Sequence, residues 1–338
     1  MRRYLIPLLL LVAACGAEEA EGTITLMTHE SFAAAVTEET FAGFTEATGI
    51  MVEVLAAGDA GAMVNQAVLT RDNPLADVLF GIDDTFLTRG LEEGLFDPYQ
   101  SPLLETVPAA LQLDPRVTPI DFGDVCLNYD KEAFADLAVP ATLDDLLDPA
   151  YADMLVVEDP STSSPGLAFL LATIDRYGED GWQDYWRGLL DNGALVTPGW
   201  DDAYYGEFSG GAGEGTRPLV VSYASSPPAE VIFAEAPLDE APTGVITDGC
   251  YRQIEFAGVL AGTERPKAAG QLIDYMLSVE FQETIPLTWF VFPANSEAEL
   301  PAEFVEHTTI PSDPVQFPPE VIEANRQTWL EQWAEIAG

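Results

Sequence analysis

Between Thr23 and Asp84 the chain runs three times from a short apolar stretch into a polar cluster: "TITLMTHESF", "IMVEVLAA" leading into Gly58 and Asp59, and "ADVLFGIDD". Helical patterns lie between them. Val36, Phe41 and Phe44 precede a stop at Gly49, and "AGAMVNQAVL" follows Asp59. Short strands alternating with helices predict an α/β fold built on mainly parallel strands. In such sheets ligands gather beyond the carboxyl ends of the strands. The clusters His29–Ser31, Gly58–Asp59 and Asp83–Asp84 all fall at those ends. At 338 residues, 48% of them hydrophobic, the chain is long enough for two cores of ordinary size.

The theme continues downstream. "VCLNYDKEAF" and "MLVVEDP" read as strands, and Thr142 is placed to cap a short helix over "LDDLL". "ALVTPGWDDAYYGEF" and "PLVVSYASSPPAEVIF" repeat the pattern of an apolar strand that ends in aromatic and hydroxyl residues. A strand in "CYRQIEFAGVLAGT" is followed by helices in "KAAGQLIDYMLS" and "VEFQETIP". A Pro-rich section then leads to an amphipathic helix, "PEVIEANRQTWLEQWAEI". No internal repeat interrupts this order.

The first residues, "MRRYLIPLLLLVAACG", place two arginines before an apolar run that ends in small residues, the pattern of a secretory signal. The run is too short to span a bilayer comfortably. "LVAAC" has the form of a bacterial lipoprotein box, with Cys15 as the lipidated mature N-terminus and residues 15–22 as a tether. An ordinary cleaved signal with an incidental cysteine is the alternative. Removing the first 14 residues takes away two arginines and no acid, so the net charge moves from −44 to −46. Such a surface repels nucleic acid phosphates and anionic lipid, so no nucleic acid partner is expected and any membrane contact is through the anchor alone. An organism that favours acidic surfaces, as salt-adapted ones do, is the plainer reading of this charge; attraction of a cationic ligand is a second benefit. Beyond Cys15 only Cys126 and Cys250 remain, which either pair outside the cytoplasm or stay as two buried thiols.

"EDPSTSSPGLAFLL" packs four hydroxyl residues, Ser161 to Ser164, between a strand and a helix. Pro165 suits a first helical position and Ser164 the cap before it, with the helix over 165–177 and Gly178 past its end. Such a helix start attracts an anion, and the hydroxyls add donors. Capping with spare serines is the plainer reading. Neither His29 nor His307 stands near a G-x-S-x-G elbow, so no nucleophilic triad is predicted, and the chain is not expected to be an enzyme. Cysteine and histidine spacing gives zinc no support.

In wording and order, "HESF", "ADVLFGIDD", "DFGDVCLNYDK", "LDDLLDPAY", "EDPSTSSPGL", "TPGWDDAYYGEF", "SYASSPPAEV" and "FQETIPLTWFVFP" resemble the thiamine-binding branch of the type II solute-binding proteins of ABC importers. The likeness runs from about Thr23 to the last helix. It implies two α/β lobes joined by crossing strands that close on ligand: residues 22–124 with 255–338, and residues 125–254. Cys126 and Cys250 would then lie near the crossing strands, where a disulfide restrains the hinge. It also implies a monomeric, extracytoplasmic receptor with no cofactor or metal, whose partners are a thiamine-type ligand and a membrane permease.

Residue by residue, the resemblance assigns Ser163 and Ser164 to the phosphate end of thiamine phosphates or to the hydroxyethyl end of thiamine. Trp200 matches the stacking tryptophan and Tyr223 a binding tyrosine; Phe290, with Trp289 beside it, falls at the family's aromatic position. Cation–π contact with the thiazolium contributes about 0.5–2 kcal/mol for each such ring. Two departures stand out. His29 replaces the family's tyrosine, and Ala229 stands where another ligand tyrosine is sought. Asp59 and Asp83 are the acids singled out by their strand-end positions. Tyr204 and its neighbour Tyr205 leave a ferric iron site open as an alternative, and polyamines as another cationic cargo.

Overall fold

The computed structural model describes residues 22–37, 39–234 and 236–338. The expected signal segment, Cys15 and the tether up to residue 21 lie outside the described residues. Ten strands follow in chain order: β1 (Gly22–Thr28), β2 (Ile50–Ala56), β3 (Val78–Asp83), β4 (Phe96–Asp97), β5 (Thr118–Asp130), β6 (Leu155–Glu158), β7 (Leu195–Thr197), β8 (Leu219–Tyr223), β9 (Thr243–Leu260) and β10 (Phe292–Pro293). The helices are α1 (Glu30–Ala35), α2 (Ala42–Thr48), α3 (Ala60–Leu69), α4 (Asp84–Glu92), α5 (Ser164–Tyr177), α6 (Trp182–Asp191), α7 (Pro227–Ile232), α8 (Pro266–Met276), α9 (Val279–Gln282), α10 (Ile285–Thr288), α11 (Ala302–His307) and α12 (Pro319–Ala337). No helix among the described residues is long and apolar enough to cross a membrane.

The sheet runs β2-β1-β3-β9-β5-β8-β6-β7. Its ends are parallel, β2-β1-β3 on one side and β8-β6-β7 on the other, because each strand there returns through a helix. The middle is antiparallel: β5 pairs with β9, and these two pair outward with β8 and β3. The expectation of a mainly parallel sheet therefore holds within each lobe and fails between them. The chain must cross to the second lobe and come back, and two long strands running opposite ways do this.

The crossing strands change partners along their length. β9 pairs with β3 through Glu255–Val259, while β5 pairs with β8 through Val125–Tyr129. Between Val125 and Leu127 the β5–β9 register shifts, and Cys126 and Cys250 are joined there as a disulfide. Gly249 has φ +75°, in the left-handed region that a glycine adopts freely, at the turn of that bulge.

One apolar cluster under β1 and β3 contains Phe32, Phe44, Phe80, Leu272 and Phe281. A larger one continues from Met63, Leu79 and Phe86 to Leu170, Trp186 and Trp333. Its unusual member is α12, which packs against both α4 and α6. Trp333 meets the edge of Trp186 at 5.7 Å, the Trp329 indole donates to Glu179 at 3.1 Å, and the Arg326 guanidinium lies 5.6 Å over the Phe86 ring. Edge-on aromatic pairs of this kind are worth about 0.5–1.5 kcal/mol beyond the area they bury.

Candidate functional site

Loops at the carboxyl ends of the strands enclose a cavity of about 820 Å³. Each wall begins as a helix start or a strand end. After β1, His29 caps α1 by accepting from the Phe32 N–H at Nδ1, 3.3 Å away. That bond leaves the imidazole proton on Nε2, which lies 3.4 Å from Glu255 Oε1. Gly81 makes room for the ring: a Cβ there would run into the His29 imidazole. After β2, Asp59 caps α3, accepting from Ala60 N at 2.6 Å, and its second oxygen accepts from Trp200 N across the cleft at 3.1 Å.

The far lobe brings the aromatic wall. Trp200 stacks on Tyr204 with ring centroids 4.8 Å apart and an 18° interplanar angle. Its indole N–H donates to Ser222 Oγ at 2.9 Å, so the ring is fixed before any ligand arrives. Tyr204 is itself held, donating to Glu230 at 2.7 Å. Tyr223, at the end of β8, donates to Gln253 at 3.0 Å. From the near lobe, Trp289 donates to Asp121 at 3.2 Å and meets the Phe32 ring edge-on at 4.8 Å. Phe290 has φ +58°, a conformation that a bulky residue adopts only when its packing enforces it, and its ring meets Phe233 at 5.4 Å.

Eight of the ten residues singled out for ligand contact line this one cavity: His29, Asp59, Ser164, Trp200, Tyr204, Tyr223, Trp289 and Phe290. Two do not. Asp83 is fully buried beneath the wall, where its carboxyl group caps α4 by accepting from Phe86 N at 3.1 Å and from Thr85 Oγ1 at 2.8 Å. Ser163 is also fully buried, because it occupies the cap position of α5 one residue earlier than expected and Ser164 becomes the first helical residue. Neither serine hydroxyl caps the helix. Ser163 lies near Asp59 and Ser164 near Asp83, close enough to favour the ionised acids but without a hydrogen bond of normal geometry. Ser164, with its hydroxyl unpartnered, reaches the cavity wall.

The tyrosine pair is divided. Tyr204 is buried and engaged, whereas its neighbour Tyr205 is 47% exposed, and their rings stand at 83°. Two phenolates converging on one ferric ion require a different arrangement. Among the described residues no group of three or more His, Cys, Asp or Glu side chains has the geometry to hold a metal ion.

Glu255 was the residue hidden in the sequence. It sits on β9 between Ile254 and Phe256, faces the cavity, is only 8% exposed, and accepts from Gln253 Nε2 at 3.3 Å. A lone acid inside the apolar run "QIEFAGVL" was the available signal. Around it stands a group of buried acids. Burial, then repulsion from Glu255, holds Asp121 well above the ordinary carboxylate range. Burial and Asp84 push Asp83 up to about 8, and burial pushes Asp84 up to about 6 although it accepts from Tyr251 OH and Ile254 N. Burial also raises Asp59, against the pull of His29 and the N–H donors of Ala60 and Trp200. For His29 burial works downward, but Glu255, Asp59 and Asp201 outweigh it and the net shift is upward.

The lining thus carries the carboxyls of Asp59, Asp201, Glu230 and Glu255, one imidazole, and no lysine or arginine among the described residues. Aromatic faces and acids in one enclosed space suit a flat molecule with positive charge. Three hydrogen bonds join the two sides of the cleft: Trp200 N to Asp59, Ser31 Oγ to Asp201 at 2.8 Å, and Gly61 N to the Thr162 carbonyl at 2.9 Å.

A cleft between two lobes, joined by two crossing strands, is the architecture of a solute receptor that closes on its ligand. Comparison with known proteins agrees. The sequence pattern of the bacterial extracellular solute-binding proteins matches residues 73–311, and the chain belongs to that family. It is similar to the thiamine-binding periplasmic protein of Escherichia coli, 30% identical with 98% of each chain covered. The thiamine-binding periplasmic protein of Brucella suis is 29% identical, covering 94% of this chain and 92% of its own. A solved periplasmic thiamin binding protein superimposes with a TM-score of 0.83 at 28% identity, covering 94% of this chain and 96% of its own. The chain is a binding protein for a small molecule and not an enzyme.

Proposed function

We propose that this protein is an extracytoplasmic receptor that captures thiamine and delivers it to an ABC importer. The observation that carries the reading is one cavity in which Trp200, Tyr223 and Trp289 share the wall with Glu255 and Asp59, with no lysine or arginine among the described residues of the lining. The thiazolium needs ring faces and a counter-charge, and the aminopyrimidine needs flat apolar contact with acceptors at its edge. The likeness to thiamine-binding relatives over nearly the whole chain supports the same ligand.

In this reading residues 22–124 with 255–338 form one lobe and residues 125–254 the other. Ligand bound between them draws the lobes together, and the bonds from Trp200 N to Asp59 and from Ser31 to Asp201 hold the mouth shut. Cys15 carries a lipid that keeps the receptor, as a monomer, beside its permease. Titration of the purified protein with thiamine, followed by calorimetry and by tryptophan fluorescence, tests the proposal. Saturable one-to-one binding that quenches Trp200 is the expected result. Tighter binding of spermidine or of ferric iron in the same assay would replace thiamine as the cargo.

A further inference from the structure

We propose that Asp121 is a positioning residue of the ligand site: carrying a proton, it donates a hydrogen bond to Glu255 and so ties the counter-ion of the cavity to Trp289. The inference rests on the thiamine reading and deepens it, by naming what holds the charged group that faces the cation.

Asp121 stands on β5 directly opposite Glu255 on β9. Residues paired across neighbouring strands put their side chains on one face, so the register itself brings the two acids together. Their carboxyls lie within hydrogen-bonding reach of each other, and both residues are buried.

Donors are scarce at this pair. Asp121 Oδ2 accepts from the Trp289 indole at 3.2 Å, while Oδ1 is buried with no donor among the described residues. Glu255 Oε1 accepts from Gln253 Nε2 and has His29 Nε2 3.4 Å away. Arg252, three residues back along β9, is paired with Asp124. Two ionised carboxylates here would set charge against charge and acceptor against acceptor, which a buried site does not sustain. One proton shared by the pair removes both faults. It belongs on Asp121, because burial and Glu255 both hold it there, while Glu255 has the amide and the imidazole beside its own oxygen.

The result is a matched pair of ties. Tyr223, from the far lobe, donates to Gln253, whose amide donates to Glu255. Trp289, from the near lobe, donates to Asp121, whose acid proton reaches the same carboxylate. Each of these two rings of the wall is thus joined to the counter-ion through one buried residue behind the lining. The charge keeps a set position relative to both rings before ligand arrives, so a flat cation meets faces and counter-charge together with little reordering of the site.

Infrared difference spectroscopy of the wild type against Asp121→Asn at neutral pH tests the proton. The carbonyl stretch of a protonated carboxylic acid should be present in the wild type and lost in the variant, the other buried acids cancelling, and it should shift when thiamine is added. Calorimetric titration with thiamine tests the tie. Asp121→Ala should weaken binding at least ten-fold. Asp121→Asn, whose amide can donate to Glu255 and accept from Trp289 without a charge, should recover at least three-fold of that loss. No such band, a band that bound thiamine leaves unmoved, or an asparagine variant that binds no better than the alanine one overturns the inference. If the alanine variant folds poorly, the band and its shift decide. Failure of the wild type to bind thiamine refutes the thiamine reading instead, and the band still reports whether Asp121 holds the proton.

Discussion

Replacing Glu255 with glutamine removes one negative charge from the middle of the cavity and keeps the shape of the side chain. The residue is 8% exposed and lies on a crossing strand, so solvent screens it poorly. For a ring cation about 5 Å away at an effective dielectric of about 20, the lost attraction is about 3 kcal/mol. Desolvation of the carboxylate returns part of that, so a net loss of about 1.5–2.7 kcal/mol is expected, a dissociation constant about 10- to 100-fold weaker. The fold should not suffer. Gln253 keeps an acceptor, and Asp121, which Glu255 repels, gains from the change. Calorimetric titration with thiamine measures the affinity, and thermal unfolding checks that the melting temperature is equal or higher. NMR titration of His29 supplies an independent readout: Glu255 raises its imidazole above the ordinary value against the effect of burial, so its pKa should fall in the variant. A dissociation constant within three-fold of wild type, in a protein whose His29 has shifted as described, would refute the role of Glu255 as counter-ion.

Two further predictions concern stability. Asp83 is raised to about 8 in the folded protein, above its unfolded value, so the folded state holds a proton that the unfolded chain has released. Stability should therefore fall as pH rises from about 4 to about 8. Asp83→Asn should raise the melting temperature at pH 8 by a few degrees and flatten that slope; an unchanged slope refutes the assignment. The Cys126–Cys250 disulfide spans 124 residues, and in the chain-entropy account its removal costs about 5 kcal/mol at most. The Cys126→Ser, Cys250→Ser double variant should melt well below the wild type in denaturant titration, and a loss under 1 kcal/mol would show that the hinge strands are held by their pairing alone.

Much of the architecture was legible because strand ends and helix starts carry their own chemistry. His29, Asp59 and Asp83 all cap the helix that follows a strand, which is why polar residues cluster there. The same fact misled at Asp83. A cap and a ligand contact use the same residue type, and only packing decides that Asp59 reaches the cavity while Asp83 lies beneath it. Ser163 and Ser164 were displaced by one position because both fit a cap equally well and Pro165 is tolerated anywhere in the first turn. Glu255 was masked by composition: with 57 acids in the chain, one more on a strand carries little weight until its burial is known. The antiparallel middle of the sheet depends on pairing between residues more than a hundred positions apart, which local periodicity does not report.

The last helix gives the receptor a mechanical limit. α12 touches both halves, with Trp333 edge-on to Trp186 in one and the Arg326 guanidinium over the Phe86 ring in the other, so it ties them together. Swinging wide would tear aromatic rings from their sockets. Small rotations, in which the strands bend and the strap merely rolls, do not. Any wide opening must therefore part at least one of these contacts, while a small rotation can keep both.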